Sequence, residues 1–467
     1  MNKNEKRTLL RGGTIVSGDP AVGDLRRGDL LIAGRRIEAV GPSIDASDAE
    51  AIDARGMVVM PGFVDSHRHT WQSLLRAVGT DWTLGQYYTG MRLVMGGLFT
   101  PDDMRLANHL GALECLNAGI TTLFDWSHNN NTPDHADGAI AGLRDAGIRA
   151  VWAYGNGNDE WIPPNDKPSN MFDVARVKLE HFSSSDQLLR MAFAARGPEF
   201  TPLDMTEQEF RQAHALGLPI SVHVGVGRWS AVQPMKQLQA RGLLYRGTNY
   251  VHCCTLPDDE LQILVDSGGS ASLAPDTALN EGFGDPPTLR LLKLGLKPSL
   301  CVDVVSSAPG DMFAAMRLLL STTRGNEARK ALQENRDFDP IPLTSKEVFG
   351  FATIEGARAC GLGNICGSLT PGKDADVVML DASQINMMPL NYSYGNIVES
   401  AHPGNVDSVF VAGRAVKRHG QLVGVDLADL ERRVNGARDR LFERAGLSSD
   451  EHWMPRALPK TELADAG

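Results

Sequence analysis

Cysteine is scarce in this chain: six in 467 residues, Cys115, Cys253, Cys254, Cys301, Cys360 and Cys366. That supply excludes a disulfide-built fold, and the apolar, strand-like surroundings of most of them predict reduced, buried thiols in a cytoplasmic protein. The adjacent pair Cys253 and Cys254 would point to opposite faces of a strand, which argues against a shared metal or a disulfide. No run of about eighteen apolar residues occurs, so no membrane-spanning helix is expected. The amino end, MNKNEKRTLLRGGTIV, lacks the apolar stretch of a secretory signal. Positive charge is not in excess either. A net charge of -11 and a pI near 5.6 give a long-range field that repels phosphates, so neither nucleic acid nor an anionic membrane is an expected partner. With 42% apolar and 22% charged residues, the composition is that of an ordinary soluble globular protein.

The length suits one large core with a smaller satellite. Short β-type runs at Leu9 to Val16, Asp29 to Ile32 and Arg36 to Val40 are separated by Gly and Pro turns, and similar runs recur at Asp374 to Leu380, Val406 to Val411 and Arg414 to Val416. Neither set can bury much alone, so the two chain ends are expected to pair into one small β-sandwich domain, residues 1–57 with 365–424. Between them, over 58–364, eight apolar runs alternate with amphipathic stretches: Val58 to Ser66, Thr121 to Trp126, Ala150 to Tyr154, Arg190 to Ala195, Leu218 to Val224, Thr248 to Cys253, Gly269 to Ala274 and Pro298 to Val302. No Gly-rich dinucleotide turn follows the first, which disfavours an open nucleotide-binding sheet and leaves an α/β architecture of the (β/α)₈ TIM-barrel type. Residues 425–467 read as a helix, N-capped by Asp426 with apolar positions from Leu427 to Leu441, followed by an extended tail.

In such barrels the reactive groups stand at the C-terminal ends of the strands. The polar residues there are His67 and His69 after the first strand, His223 after the fifth, His252 after the sixth and Asp303 after the eighth. One histidine at such a place is ordinary. Alternate strand residues face the same side, so His67 and His69 can share one cavity with the others. Three neutral imidazoles and a carboxylate are a nitrogen and oxygen set suited to one divalent ion, Zn²⁺ first, with Fe²⁺, Mn²⁺ or Co²⁺ as chemically reasonable alternatives. Water on such an ion reaches a pKa of about 7, and hydrolysis is the natural use.

This arrangement, with the flanking PGFVDSHRH, NAGITTLFD, VHCC, ATIEGARACGLGN and GSLTPGKDADVVMLD, resembles the amidohydrolase superfamily, in particular its triazine hydrolase and cytosine deaminase branch, near molinate and phenylurea hydrolases. The resemblance implies that His67, His69, His223 and Asp303 bind the metal, that His252 contacts the hydrolytic water or the developing oxyanion, and that Asp303 is general base and then acid. It also implies a homo-oligomer. Two-metal members carry a modified lysine on strand four; here Arg196-Gly197-Pro198-Glu199 follows that strand, which implies one metal. Ring deaminases of the branch place a glutamate three residues after the strand-five histidine, and here that position is Val226. Valine transfers no proton, so hydrolysis of an amide, urea or carbamate C–N bond is the expected activity, with deamination of an N-heterocycle as the alternative. A non-catalytic scaffold would be expected to have lost ligands, and none is lost. Glu199 offers a replacement acid or a structural partner for Arg196. Trp71, Gln72, Trp82, Trp126, His128, Trp229, Asp276, Ser306 and Ser307 are candidates for a rim that receives a flat, partly apolar substrate.

Overall fold

The computed structural model describes residues 6–161, 165–449 and 451–456. Its seventeen strands are, in chain order, β1 (Arg7–Ile15), β2 (Leu25–Ala33), β3 (Arg36–Gly41), β4 (Glu50–Asp53), β5 (Met57–Pro61), β6 (Phe63–Arg68), β7 (Ile120–Ser127), β8 (Arg149–Tyr154), β9 (Leu189–Ala195), β10 (Ile220–Val224), β11 (Asn249–His252), β12 (Ser270–Leu273), β13 (Ser299–Leu300), β14 (Val377–Asp381), β15 (Val406–Val411), β16 (Arg414–Arg418) and β17 (Gln421–Leu422). Two compact units contain them. One comprises the chain as far as Ser66, Glu114–Leu123 and Asp311–Gly424; the other His67–Leu113, Phe124–Gly310 and the chain from Val425 on.

In the first unit both chain ends build one mixed sheet of nine strands, in the order β17-β16-β15-β14-β5-β1-β2-β3 with β4 beside β1. The joint is the antiparallel pairing of β14 with β5, in register from Val377 opposite Pro61 to Asp381 opposite Met57. Neither terminal segment has an apolar face large enough to stand alone, and the pairing supplies it: Leu10, Ile15, Leu30 and Ile32 share a buried cluster with Val377, Met379 and Phe410.

The other sheet is parallel, ordered β6 to β13 without a crossover, and helices such as Pro101–Asn117, Pro133–Ala146, Leu203–Ala215 and Asp258–Asp266 lie between its strands in sequence. It closes on itself. The backbone N–H of Asp303 donates to His67 O at 3.0 Å, and that of His69 to Asp303 O at 2.8 Å, so the chain after β13 hydrogen-bonds to β6. This is the (β/α)₈ barrel that the alternating pattern anticipates.

The apolar run expected as one strand from Val58 to Ser66 is in fact two. Met57–Pro61 belongs to the terminal sheet and Phe63–Arg68 to the barrel, with Gly62 between them. A Cβ at Gly62 would stand 2.1 Å from Thr121 Oγ1, and the Gly62 N–H donates to Asp376 O at 3.0 Å, so only a residue without a side chain fits this crossing. Both strands are buried, and hydrophobicity carried no mark of the break. The sixth barrel strand likewise ends at His252 rather than Cys253. His252 and Cys253 take positive φ (76° and 58°), which turns the chain out of the sheet, so the two cysteines occupy the following turn instead of opposite faces of a strand. The eighth strand is regular only over Ser299–Leu300.

The carboxyl-terminal helix runs from Leu427 to Arg444, and the Asp426 side chain accepts from the Asp429 N–H as its N-cap. Ala437, Leu441 and Phe442 are its buried face, and Arg444 ties its end to Leu98 O and to Asp103 at 3.0 Å. The expected tail lies, from 457 on, outside the described residues. Gly62→Ala is expected to lower stability by about 1–3 kcal/mol, the usual cost of overpacking, read as a reduced urea midpoint at unchanged slope. An unchanged midpoint would mean that the crossing tolerates a side chain.

Candidate metal centre and pocket

β6 carries His67 and His69 to the mouth of the barrel, β10 carries His223, β11 ends on His252, and Asp303 follows β13. All five are buried. His67 Nε2 lies 3.1 Å from Asp303 Oδ1 and 3.3 Å from His223 Nε2, while His69 Nε2 lies 3.5 Å from Asp303 Oδ1. Ligand atoms about 2.1 Å from a tetrahedral ion stand roughly 3.4 Å from one another, and these spacings match. His252 Nε2 lies 4.0 Å from Asp303 Oδ2, and a ring nitrogen of His252 lies within 4.8 Å of those of His67 and His223.

Burial decides the protonation of this cluster. Desolvation pushes His67 and His252 down to about 3 and holds His69 and His223 well below the ordinary imidazole value. Each ring is therefore neutral, the form that donates to a metal. His69 Nδ1 sits 2.8 Å from Trp126 O, which places its proton there and turns the Nε2 lone pair inward. His67 Nε2 and His223 Nε2, 3.3 Å apart, need a proton or a cation between them, and with Asp303 Oδ1 3.1 Å from the former the residues present fit a divalent ion. Burial also raises the Asp303 carboxyl to about 6, against the pull of His252. His252 and Asp303, at φ 76° and 68°, hold a backbone conformation unfavourable for residues with a side chain.

Above the cluster opens a pocket of about 500 Å³. Its walls are largely aromatic and aliphatic, with Tyr87, Tyr88, Phe200, Val226, Trp229 and Phe283 among them, and its polar groups besides the cluster are Arg92, His128, Thr277 and Glu281. His128 stacks on His69 with ring centroids 3.9 Å apart and accepts from Trp71 Nε1 at 3.0 Å through Nδ1, so its own proton resides on Nε2. Arg92 is buried, its guanidinium 5.7 Å from the Trp71 ring centroid, and desolvation lowers it to about 10.

The sequence-selected rim residues are distributed unequally. His128 and Trp229 line the pocket. Trp71, Gln72, Trp126 and Ser306 stand behind its wall: Ser306 Oγ donates to Gln72 Oε1 (2.9 Å), and Gln72 Nε2 donates to the Tyr87 hydroxyl (2.6 Å). The Trp126 ring packs 4.5 Å from His223. Trp82 instead donates to Trp453 O at 2.9 Å and packs edge-on against that ring, which buries it away from the pocket. Asp276 sits in the first turn of the helix Pro275–Glu281 and is not among the lining residues. Glu199 is not a pocket acid. Its carboxylate takes the Gly225 N–H at 2.6 Å and the Val226 N–H at 3.1 Å, and Arg196 pairs with Glu209 at 2.6 Å rather than with Glu199. Burial pushes Glu199 up to about 8 while the two N–H groups pull it back.

Tyr87, Tyr88, Arg92, Phe200, Thr277, Glu281 and Phe283 were not selected from the sequence. A signal existed for the first three: the connection from His69 to Thr100 is long for a βα loop, and long loops at the active face of a barrel carry function. Nothing local marked the others.

The chain belongs to the amidohydrolase family, whose profile matches residues 58–416. It is a metal-dependent hydrolase acting on small molecules. A 5-methylthioadenosine/S-adenosylhomocysteine deaminase of Symbiobacterium thermophilum is 28% identical over 456 residues, 93% of this chain and 99% of the relative. An adenosine deaminase from Xanthomonas campestris with bound zinc superposes with a TM-score of 0.78 at 24% identity, covering 93% of this chain and 98% of its own. An atrazine chlorohydrolase from Arthrobacter aurescens complexed with zinc gives 0.80 at 21%, covering 92% and 100%. Both structures share the fold.

Because Glu199 serves two backbone donors with two oxygens, Glu199→Gln leaves one N–H of the strand-five loop without its acceptor. A loss of about 1–3 kcal/mol in guanidinium denaturation is expected; no loss would place the loop's support elsewhere.

Proposed function

We propose that this chain is a mononuclear zinc hydrolase that cleaves a non-peptide C–N bond, such as an amide, urea or carbamate, in a flat, partly apolar small molecule. Two donor groups that share His67, one with His223 and His252 and one with His69 and Asp303, stand beside an aromatic pocket that His69, His223, His252 and Asp303 line, and they carry the reading. His67, His69, His223 and Asp303 would hold the ion, which when bound supplies the charge that brings water near a pKa of about 7. Asp303 accepts the proton of the attacking water. Its position suits it to this task, with Oδ1 3.1 Å from His67 Nε2 and Oδ2 4.0 Å from His252 Nε2 at the edge of the pocket. His252, which lines the pocket beside the ligands, is placed to hydrogen-bond the oxygen on which negative charge develops. The aromatic walls orient the substrate and exclude competing water. The six free, buried cysteines support a reducing, cytoplasmic setting.

Val226 lines the pocket and is buried, so no carboxyl group stands where ring deaminases of this branch place one. That favours C–N hydrolysis with release of an amine. The second reading, hydrolytic removal of the amino group of an N-heterocycle, is supported by the deaminase from Symbiobacterium thermophilum.

Zinc-loaded protein is expected to carry about one equivalent of metal by elemental analysis and to lose turnover of an amide, urea and carbamate panel when the metal is chelated. Asp303→Asn is expected to reduce kcat by about 10²–10⁴-fold. Failure to retain zinc overturns the reading, and release of ammonia from heterocyclic amines, with no turnover of the panel, transfers it to deamination.

A further inference from the structure

We propose that Glu281 is the acid of this site: its carboxyl, carried on the helix after β12, protonates the leaving nitrogen and so replaces the strand-five glutamate that Val226 displaces. The inference rests on the C–N hydrolase reading above.

The replacement is local. Val226 belongs to an apolar cluster with Cys254, Ala278 and Phe283, and Ala278 and Phe283 flank Glu281 in the chain. The wall that lost a carboxyl at 226 therefore packs directly against the element that presents one at 281. Glu281 is the last residue of the helix Pro275–Glu281, and Gly282 follows in the left-handed conformation (φ 83°), which ends the helix there. Its side chain lines the same pocket as His252 and Asp303 and is 4% exposed.

The hydrogen bonding assigns its proton. Ser307 Oγ donates to Glu281 Oε1 at 2.7 Å, so that oxygen is engaged as an acceptor. Oε2 is buried and has no hydrogen-bond partner among the described residues. A buried carboxylate oxygen without a donor is costly, whereas a carboxylic O–H at Oε2 has a substrate atom to meet in the pocket. Burial, with Asp303 adding repulsion, raises this carboxyl to about 8, which agrees with a proton held at neutral pH. The hydrogen bonding thus leaves the pocket with a carboxyl that can donate, Glu281, alongside one that can accept, Asp303, the division that hydrolysis with a poor leaving group requires.

The step balances over one water. The hydroxyl of water bonds to the substrate carbon and its proton passes to Asp303. As the C–N bond breaks, the nitrogen keeps the bonding pair and takes the proton from Glu281 Oε2. Asp303, now protonated, and Glu281, now ionised, are restored by proton exchange through solvent once the amine has left.

The test pairs kinetics with spectroscopy on the zinc-loaded full chain. Two amide or carbamate substrates differing only in leaving group, an electron-poor arylamine and an alkylamine, are compared in wild type, Glu281→Gln and Ser307→Ala. Glu281→Gln is expected to retain zinc and to lose about 10²–10⁴-fold in kcat on the alkylamine substrate but at least tenfold less on the arylamine, whose departure depends less on proton donation. Ser307→Ala, which frees Oε1, is expected to show the same leaving-group bias in weaker form. Infrared difference spectra of wild type against Glu281→Gln near pH 6.5 are expected to show a carboxylic C=O band absent from the variant. An equal loss on both substrates, or an ionised carboxylate in the difference spectrum, overturns the assignment of Glu281. Absence of turnover of every C–N substrate by the wild type would refute the hydrolase reading instead, and the infrared band then still decides the protonation of Glu281.

Discussion

The closure of the barrel and the assembly of the metal centre are one event. The two backbone hydrogen bonds that join the chain after β13 to β6 link His67, His69 and Asp303, three of the residues whose side chains converge on one point. A sheet that failed to close would separate the carboxylate from both imidazoles. The spacing between ligand atoms therefore depends on strand register, which is set over all eight strands by backbone bonding rather than by any contact in the site itself. His252 and Asp303 also hold left-handed backbone conformations where the chain leaves β11 and β13, a local strain of the kind found at functional sites.

Removal from water then determines what these groups can do. The cluster contains four imidazoles and a carboxylate, all shielded from solvent, and desolvation drives each toward its neutral form. For histidine this means a free lone pair. For the carboxyls of Asp303 and Glu281 it means a raised affinity for the proton. On the reading proposed above, one physical effect yields a ligand set, a base and an acid because residue types of opposite charge respond to it in opposite directions.

Much of this was legible in the residues. The alternation of apolar runs and amphipathic stretches specified the barrel, since period and length are properties of the local chain, and the five strand-end residues followed from the barrel's own geometry. The β-type runs at the two ends were also readable as partners, because neither could bury its face unaided. The division of the first apolar run at Gly62 was not readable, because both of the sheets it joins are buried and their strands look alike. The rim was the least legible part. Trp71, Gln72 and Ser306 sit near the metal ligands in sequence but support the wall from behind, whereas Phe200, Thr277 and Glu281 reach the pocket from connections whose paths depend on tertiary packing.

The absence of a carboxyl at 226 was a property of the sequence alone, as were the identity and order of the donors. Where a carboxyl does enter the pocket, and which carboxyl keeps its proton, was decided by the fold. Glu199 and Glu281 look equivalent as residues: each is a glutamate in a connection that follows a barrel strand. One is bound to two backbone N–H groups behind the strand-five loop, while the other is held by a single hydroxyl with its second oxygen buried at the pocket wall. That difference arises from which neighbours the closed barrel brings to each side chain, and no local pattern of residues encodes it.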